Sequence, residues 1–175
     1  LVSLPELIGN VVVFGVEHSG TSIIARMLNE LGWWMPKSSS NDCVEDVVFR
    51  HCSKFIEQGA RDAREAGILR AAQWEWWQRY ASHEPWCLKD PRIRTQLNQW
   101  WPIWGSNVTV LWVHRPFDAV RKSHVRRRRK LTGAHTDESK AMLRSHFDQC
   151  EDEFARWPGY KVRMGFQEFT EAMTA

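Results

Sequence analysis

A chain of 175 residues, 43% hydrophobic and 26% charged, is large enough for one domain with a real core; that composition excludes a disordered or fibrous polypeptide. The formal net charge of +3 is mildly basic. It suits an anionic ligand without demanding nucleic acid. No run approaches a membrane span, and Leu1 to Asn10 lacks the basic start and long apolar stretch of a signal peptide. A soluble, cytoplasmic protein is therefore expected.

Val11-Val12-Val13-Phe14 is a short β-branched run stopped by Gly15. It predicts a strand buried on both faces. A turn rich in Gly, Ser and Thr follows. Ser22 to Leu31 then reads as a helix whose apolar stripe is Ile23, Ile24, Met27, Leu28 and Leu31, ended by Gly32. Trp33 to Asn41 is a loop. Asp42 to Gln58 looks helical, with Val44, Val47, Val48, Cys52 and Phe55 on one side. Arg61 to Tyr80 reads as one helix or a pair, weakened at Gly67.

Trp86 to Lys89 predicts a second strand, closed by Asp90-Pro91, and Arg92 to Trp101 a helix. Val108 to Val113 is the clearest strand, ended by His114-Arg115-Pro116. Pro116 suits the first turn of a helix running to about Lys130. After the polar break Thr132 to Thr136, a helix runs from Asp137 to about Trp157. A strand from Tyr160 to Met164 and a helix from Gln167 to Met173 complete the chain. Strands alternating with helices argue a parallel sheet covered on both sides, within a single domain, 1–175. In such sheets ligands bind beyond the C-terminal strand ends.

Eleven tryptophans, most of them between Trp74 and Trp112, are expected in the core; a stacking platform for a sugar or base is the alternative. Cys43, Cys52, Cys87 and Cys150 show neither C-x-x-C nor zinc spacing. They are expected as reduced thiols, with no metal site.

The turn Gly15 to Ser22 carries the chemistry. The ATP-type phosphate loop reads G-x-x-x-x-G-K-[ST]. Gly15 and Gly20 keep that spacing, but Thr21 stands where the lysine belongs. Unpaired amides and the helix dipole favour an anion there, and Ser19, Thr21 and Ser22 add hydroxyls. A plain strand–turn–helix joint with a hydroxyl cap is the bland alternative.

With these residues in place, "FGVEHSGTS" resembles the 5′-phosphosulfate loop of sulfotransferases that use 3′-phosphoadenosine 5′-phosphosulfate (PAPS), usually G-x-x-[RK]-S-G-T-[TS]. Gly15, Ser19, Gly20, Thr21 and Ser22 match; His18 replaces the Arg or Lys. "VTVLWVHRPFDAVRKS" resembles the family's 3′-phosphate motif, with Arg115 and Ser123 at its eight-residue spacing. The proline register would instead select His114 and Lys122. "CLKDPR" resembles a K-D-P element, implying that Lys89 reaches the sulfuryl group and that Asp90 orients it or caps a helix. Arg92 and Arg94 are outward charges or cosubstrate contacts. "NDCVEDVVFRHC" resembles the stretch that supplies the base, which points to Glu45. Asp42, Asp46 and Glu17 compete, and His51 and His83 are weaker candidates.

The resemblance implies a three-layer α/β sandwich with a short parallel sheet, the architecture of P-loop nucleoside-triphosphate hydrolases. It implies in-line sulfuryl transfer from PAPS to the hydroxyl of a small-molecule, glycan or peptide acceptor. Glu45 would take the proton, Lys89 and His18 would stabilise the sulfuryl oxygens, and adenosine 3′,5′-bisphosphate would be released without a metal. Two alternatives stand beside it. One is a P-loop-type nucleotide or small-molecule kinase, with Lys89 as cation and Asp90 as Mg²⁺ ligand. The other is an anion- or RNA-binding module built on Arg126-Arg127-Arg128-Arg129-Lys130.

Overall fold

The computed structural model describes residues 9–36, 62–131 and 137–168, with positions 7, 46, 49, 52, 53 and 56. Its elements are β1 (Asn10–Phe14), α1 (Thr21–Glu30), α2 (Ala63–Ala81), β2 (Cys87–Lys89), α3 (Trp101–Trp104), β3 (Val108–His114), α4 (Phe117–Leu131), α5 (Asp137–Arg156) and β4 (Lys161–Gly165). Two 3₁₀ segments, Pro91–Thr95 and Leu97–Gln99, connect β2 to α3.

The strands form one sheet in the order β2-β1-β3-β4, every pair parallel. Each strand ends toward the same side, so the turns after β1, β2 and β3 share one end of the sheet. Every residue of β1 is buried, as expected where helices cover both faces. Alternation sorts the side chains. Val11, Val13, Cys87, Leu111, Val113 and Met164 face Ile24, Ala25 and Leu28 of α1. Val12, Phe14, Leu88, Val110 and Trp112 face the opposite layer, with Trp76, Tyr80, Trp86, Trp100, Val120 and Leu143. The architecture is a three-layer α/β sandwich.

The tryptophans are mostly core. Trp76, Trp86, Trp100, Trp104 and Trp157 are buried. Phe49 stacks on Trp100 at 4.5 Å between centroids, and Trp76 stacks on Tyr80 at 4.0 Å. Asp46 belongs to this layer: its Oδ1 accepts from the Phe49 amide at 2.8 Å and its Oδ2 from the Tyr80 hydroxyl at 3.0 Å. Burial and this neighbouring carboxylate push the Tyr80 hydroxyl well above its ordinary pKa.

One open reading closes and one expectation changes. The stretch read as one helix or a pair is, over its described residues, the single helix α2, Ala63–Ala81; Asp62 caps it by accepting from the Glu65 amide at 2.9 Å, and Gly67 lies on an open face. Arg92 to Trp101 is not one helix. Gln96, at φ −148° and ψ 8°, interrupts it and donates its side-chain amide to the Ser53 carbonyl at 3.1 Å. Cys52, Cys87 and Cys150 are buried free thiols. Burial pushes Cys52 to about 11 and Cys150 to about 12. Among the described residues no helix is long and apolar enough to cross a membrane.

Candidate anion site at the strand ends

After β1 the chain crosses to β2 on one side, then returns to place β3 on the other. The strand order reverses at β1, and open α/β sheets bind ligands in that crevice. The turn from Gly15 opens into it. The Ser19 amide donates to the Val16 carbonyl at 3.0 Å, closing a tight turn. His18 adopts φ 67° and Gly20 φ 101°, both left-handed. The amides of Ile23 and Ile24 both donate to the Gly20 carbonyl, at 3.0 and 3.3 Å, and so start α1.

Among the described residues no side chain caps the α1 N-terminus, and no acidic residue lies in its first turn. Its leading amides and dipole therefore face the turn as an anion-binding end. Ser19 Oγ is buried and has no hydrogen-bond partner among the described residues. A hydroxyl in that condition fits an incoming phosphate oxygen. Gly15 cannot be larger: a Cβ there would lie 2.6 Å from the Val113 carbonyl and 2.8 Å from Ser19 Oγ.

Lys89 ends β2, buried, in register with Val13 and therefore close to the mouth of the turn. Asp90 follows, fully buried. Its Oδ1 accepts from the Arg92 amide at 2.8 Å and from Arg92 Nε at 2.9 Å, and its Oδ2 pairs with Arg92 Nη2. Asp90 is thus a helix cap and ion-pair partner, which does not fit the Mg²⁺-ligand role. Arg115 leaves the end of β3 and donates from Nη1 to the His18 carbonyl at 3.3 Å. Its guanidinium sits 5.1 Å over the Phe166 ring. His114 turns the other way, toward Trp112 and Phe147. Burial, then Arg163, lowers its pKa.

Ser123 is half-buried on α4, and its neighbour His124 stands edge-on to His18 at 5.5 Å between ring centroids. Thr21 is buried and Ser22 half-buried in the first turn of α1. Glu45, Asp42 and His51 lie outside the described residues. Asp46 is committed to Phe49 and Tyr80, and His83 stacks on Trp34 at 4.1 Å before β2, away from the strand ends. Along the basic run α4 continues as helix with Arg126 exposed; the side chains of 127–130 lie outside the described residues.

Three residues at the site were not singled out by their spacing as a set. Arg94 is buried and donates from Nη1 to the Pro91 carbonyl at 2.7 Å; the same nitrogen lies 3.9 Å from Glu17 Oε1. Arg94 Nη2 lies 3.2 Å from His146 Nε2. Burial, then Arg94, lowers the His146 pKa. His124 and His146 carry a sequence signal. Each falls in an apolar helical stripe, His124 four residues after Val120 and His146 between Leu143 and Cys150.

No family model and no curated protein matches the chain. Solved structures do. A sugar kinase from Janibacter sp. HTCC2649 superimposes with a TM-score of 0.51 at 14% identity, covering 94% of this chain and 92% of that one. A deoxyadenosine kinase from M. mycoides with bound dATP gives 0.48 at 10% identity over 95% and 100% of the two chains. Thymidylate kinase from Candida albicans gives 0.47 at 15% identity over 97% and 92%. At 14% identity the sugar-kinase likeness shows the fold alone, an α/β fold with a parallel sheet. The expectation of sulfuryl transfer is corrected here: the solved structures named above as similar are kinases, not sulfotransferases. The physical reason for the error is that a Gly/Ser/Thr anion turn between a strand and a helix serves both kinds of donor, so its residues do not encode sulfur.

Proposed function

We propose that the chain is a P-loop-type kinase that moves a phosphoryl group from an ATP-type nucleotide to a small-molecule acceptor. The observation that carries this reading is the convergence of phosphate-binding groups on one end of the sheet: the uncapped α1 N-terminus after β1, Lys89 at the end of β2 and Arg115 after β3. The turn amides and α1 dipole hold the phosphates. Lys89 and Arg115 supply the positive charge that Thr21, in the lysine position, does not. Ser22 stands where the ATP-type loop places the hydroxyl that ligates Mg²⁺. Catalysis by such a site is positioning and charge neutralisation of an in-line displacement.

The test compares thermal stabilisation and calorimetric binding of ATP with Mg²⁺ against adenosine 3′,5′-bisphosphate, followed by γ-phosphoryl transfer to a panel of nucleosides and sugars. ATP with Mg²⁺ is expected to raise Tm and bind. Stabilisation by the bisphosphate with none by ATP and Mg²⁺ overturns the reading.

A further inference from the structure

Glu17 is out of place in an anion-binding turn. It puts a carboxylate beside amides and a helix dipole that gather negative charge, and an uncompensated carboxylate there repels a phosphate. The structure answers that charge from another element. Arg94 Nη1 lies 3.9 Å from Glu17 Oε1, and the guanidinium is fixed by the Pro91 carbonyl at 2.7 Å and by His146 of α5 at 3.2 Å. A guanidinium only donates, so His146 Nε2 accepts here and the ring is neutral with its proton on Nδ1. Arg94 therefore ties together the turn after β1, the 3₁₀ segment that follows Lys89, and α5.

We propose that Arg94 is a positioning residue for the phosphate turn: by pairing with Glu17 it cancels the carboxylate's charge and holds the turn against the end of β2, and polyphosphate binding depends on that pairing. The proposal rests on the reading of Gly15 to Ser22 as a phosphate site. Arg94 acts through Glu17, not by touching the ligand. Its loss leaves a bare carboxylate in the turn. If the role is electrostatic, removing the carboxylate as well restores binding.

The experiment measures binding of ATP with Mg²⁺ and of inorganic tripolyphosphate to the wild type, Arg94→Gln, Glu17→Gln and the double variant, with thermal melts to certify folding. R94Q is expected to bind both probes at least about fivefold more weakly. E17Q binds at least as tightly as the wild type, and R94Q/E17Q returns to within about twofold of E17Q. Unchanged binding by R94Q overturns the inference alone. A double variant as weak as R94Q also overturns it, because it reduces Arg94 to a structural part. A wild type that binds neither probe overturns the phosphate-site reading, and the inference with it. If R94Q is recovered unfolded, Arg94→Lys replaces it: the deficit is smaller and must still vanish on adding E17Q.

Discussion

Gly20 meets two demands in one residue. Its φ of 101° is left-handed, and a Cβ at that position would run into the Phe166 ring. Gly20→Ala is expected to cost about 1–2 kcal/mol from the backbone conformation alone, with the collision added. For a chain of this size each kcal/mol lowers Tm by roughly 2–4 °C. A melt within a degree of the wild type would contradict the turn geometry. His146 makes a second residue-level prediction. Burial and Arg94 lower its folded pKa, while Glu17 opposes and His124 adds to the lowering. The unfolded chain therefore takes up the proton first on acidification. The stability contributed by neutral His146 is fully present above pH 6.5 and is lost as pH falls through the lower folded value. Between pH 7.5 and 5, the wild type should lose more Tm than His146→Gln, whose amide oxygen still accepts from Arg94. Equal losses would show that this histidine is not the group that titrates.

Among elements, the aromatic layer beneath β1, β2 and β3 carries the clearest energetic prediction. Trp100 is buried and stacks on both Phe49 and Trp104, at 4.5 and 5.2 Å. Trp100→Ala should destabilise by about 3–5 kcal/mol, measured by urea unfolding. A loss under 1 kcal/mol would mean that the layer is loosely packed. This layer also shows what the sequence makes legible. Continuous apolar runs such as Val11 to Phe14 and Val108 to Val113 announce buried parallel strands, because both faces of each strand need apolar cover. The path from Arg92 to Trp101 was not legible: Gln96 breaks it to reach the Ser53 carbonyl, a partner 43 positions away. The ends of β1, β2 and β3 could be named from the sequence, since Gly15 and Arg115 each follow a strand and Lys89 closes one. The Glu17–Arg94–His146 grouping could not, because it joins three elements whose proximity only the fold decides.

The whole molecule behaves as one cooperative unit if both layers depend on the same sheet. Its thiols report on this. Cys87 lies at the centre of one face, while Cys52 and Cys150 lie in the opposite layer, all three buried. Their labelling by a maleimide, followed by peptide mass spectrometry across a urea series, should rise together at the global transition. Labelling of Cys150 well before Cys87 would reveal that the α5 layer opens on its own. Function sits at this scale and is the least legible part. A strand, a hydroxyl-rich turn and a helix suit an anion, but which anion fits depends on groups that the topology gathers from elsewhere.

The central position of β1 has a consequence for synthesis. Val11 pairs with Cys87 and with Thr109, so β1 leaves the ribosome about 75 residues ahead of its first neighbour in the sheet. At translation rates of roughly 5–20 residues per second, that is an interval of about 4–15 s. Throughout it, Val11-Val12-Val13-Phe14 is an unpaired, sticky ribbon. Nascent chains arrested before β2 emerges should bind a holdase chaperone through this segment, and those arrested after β3 should release it.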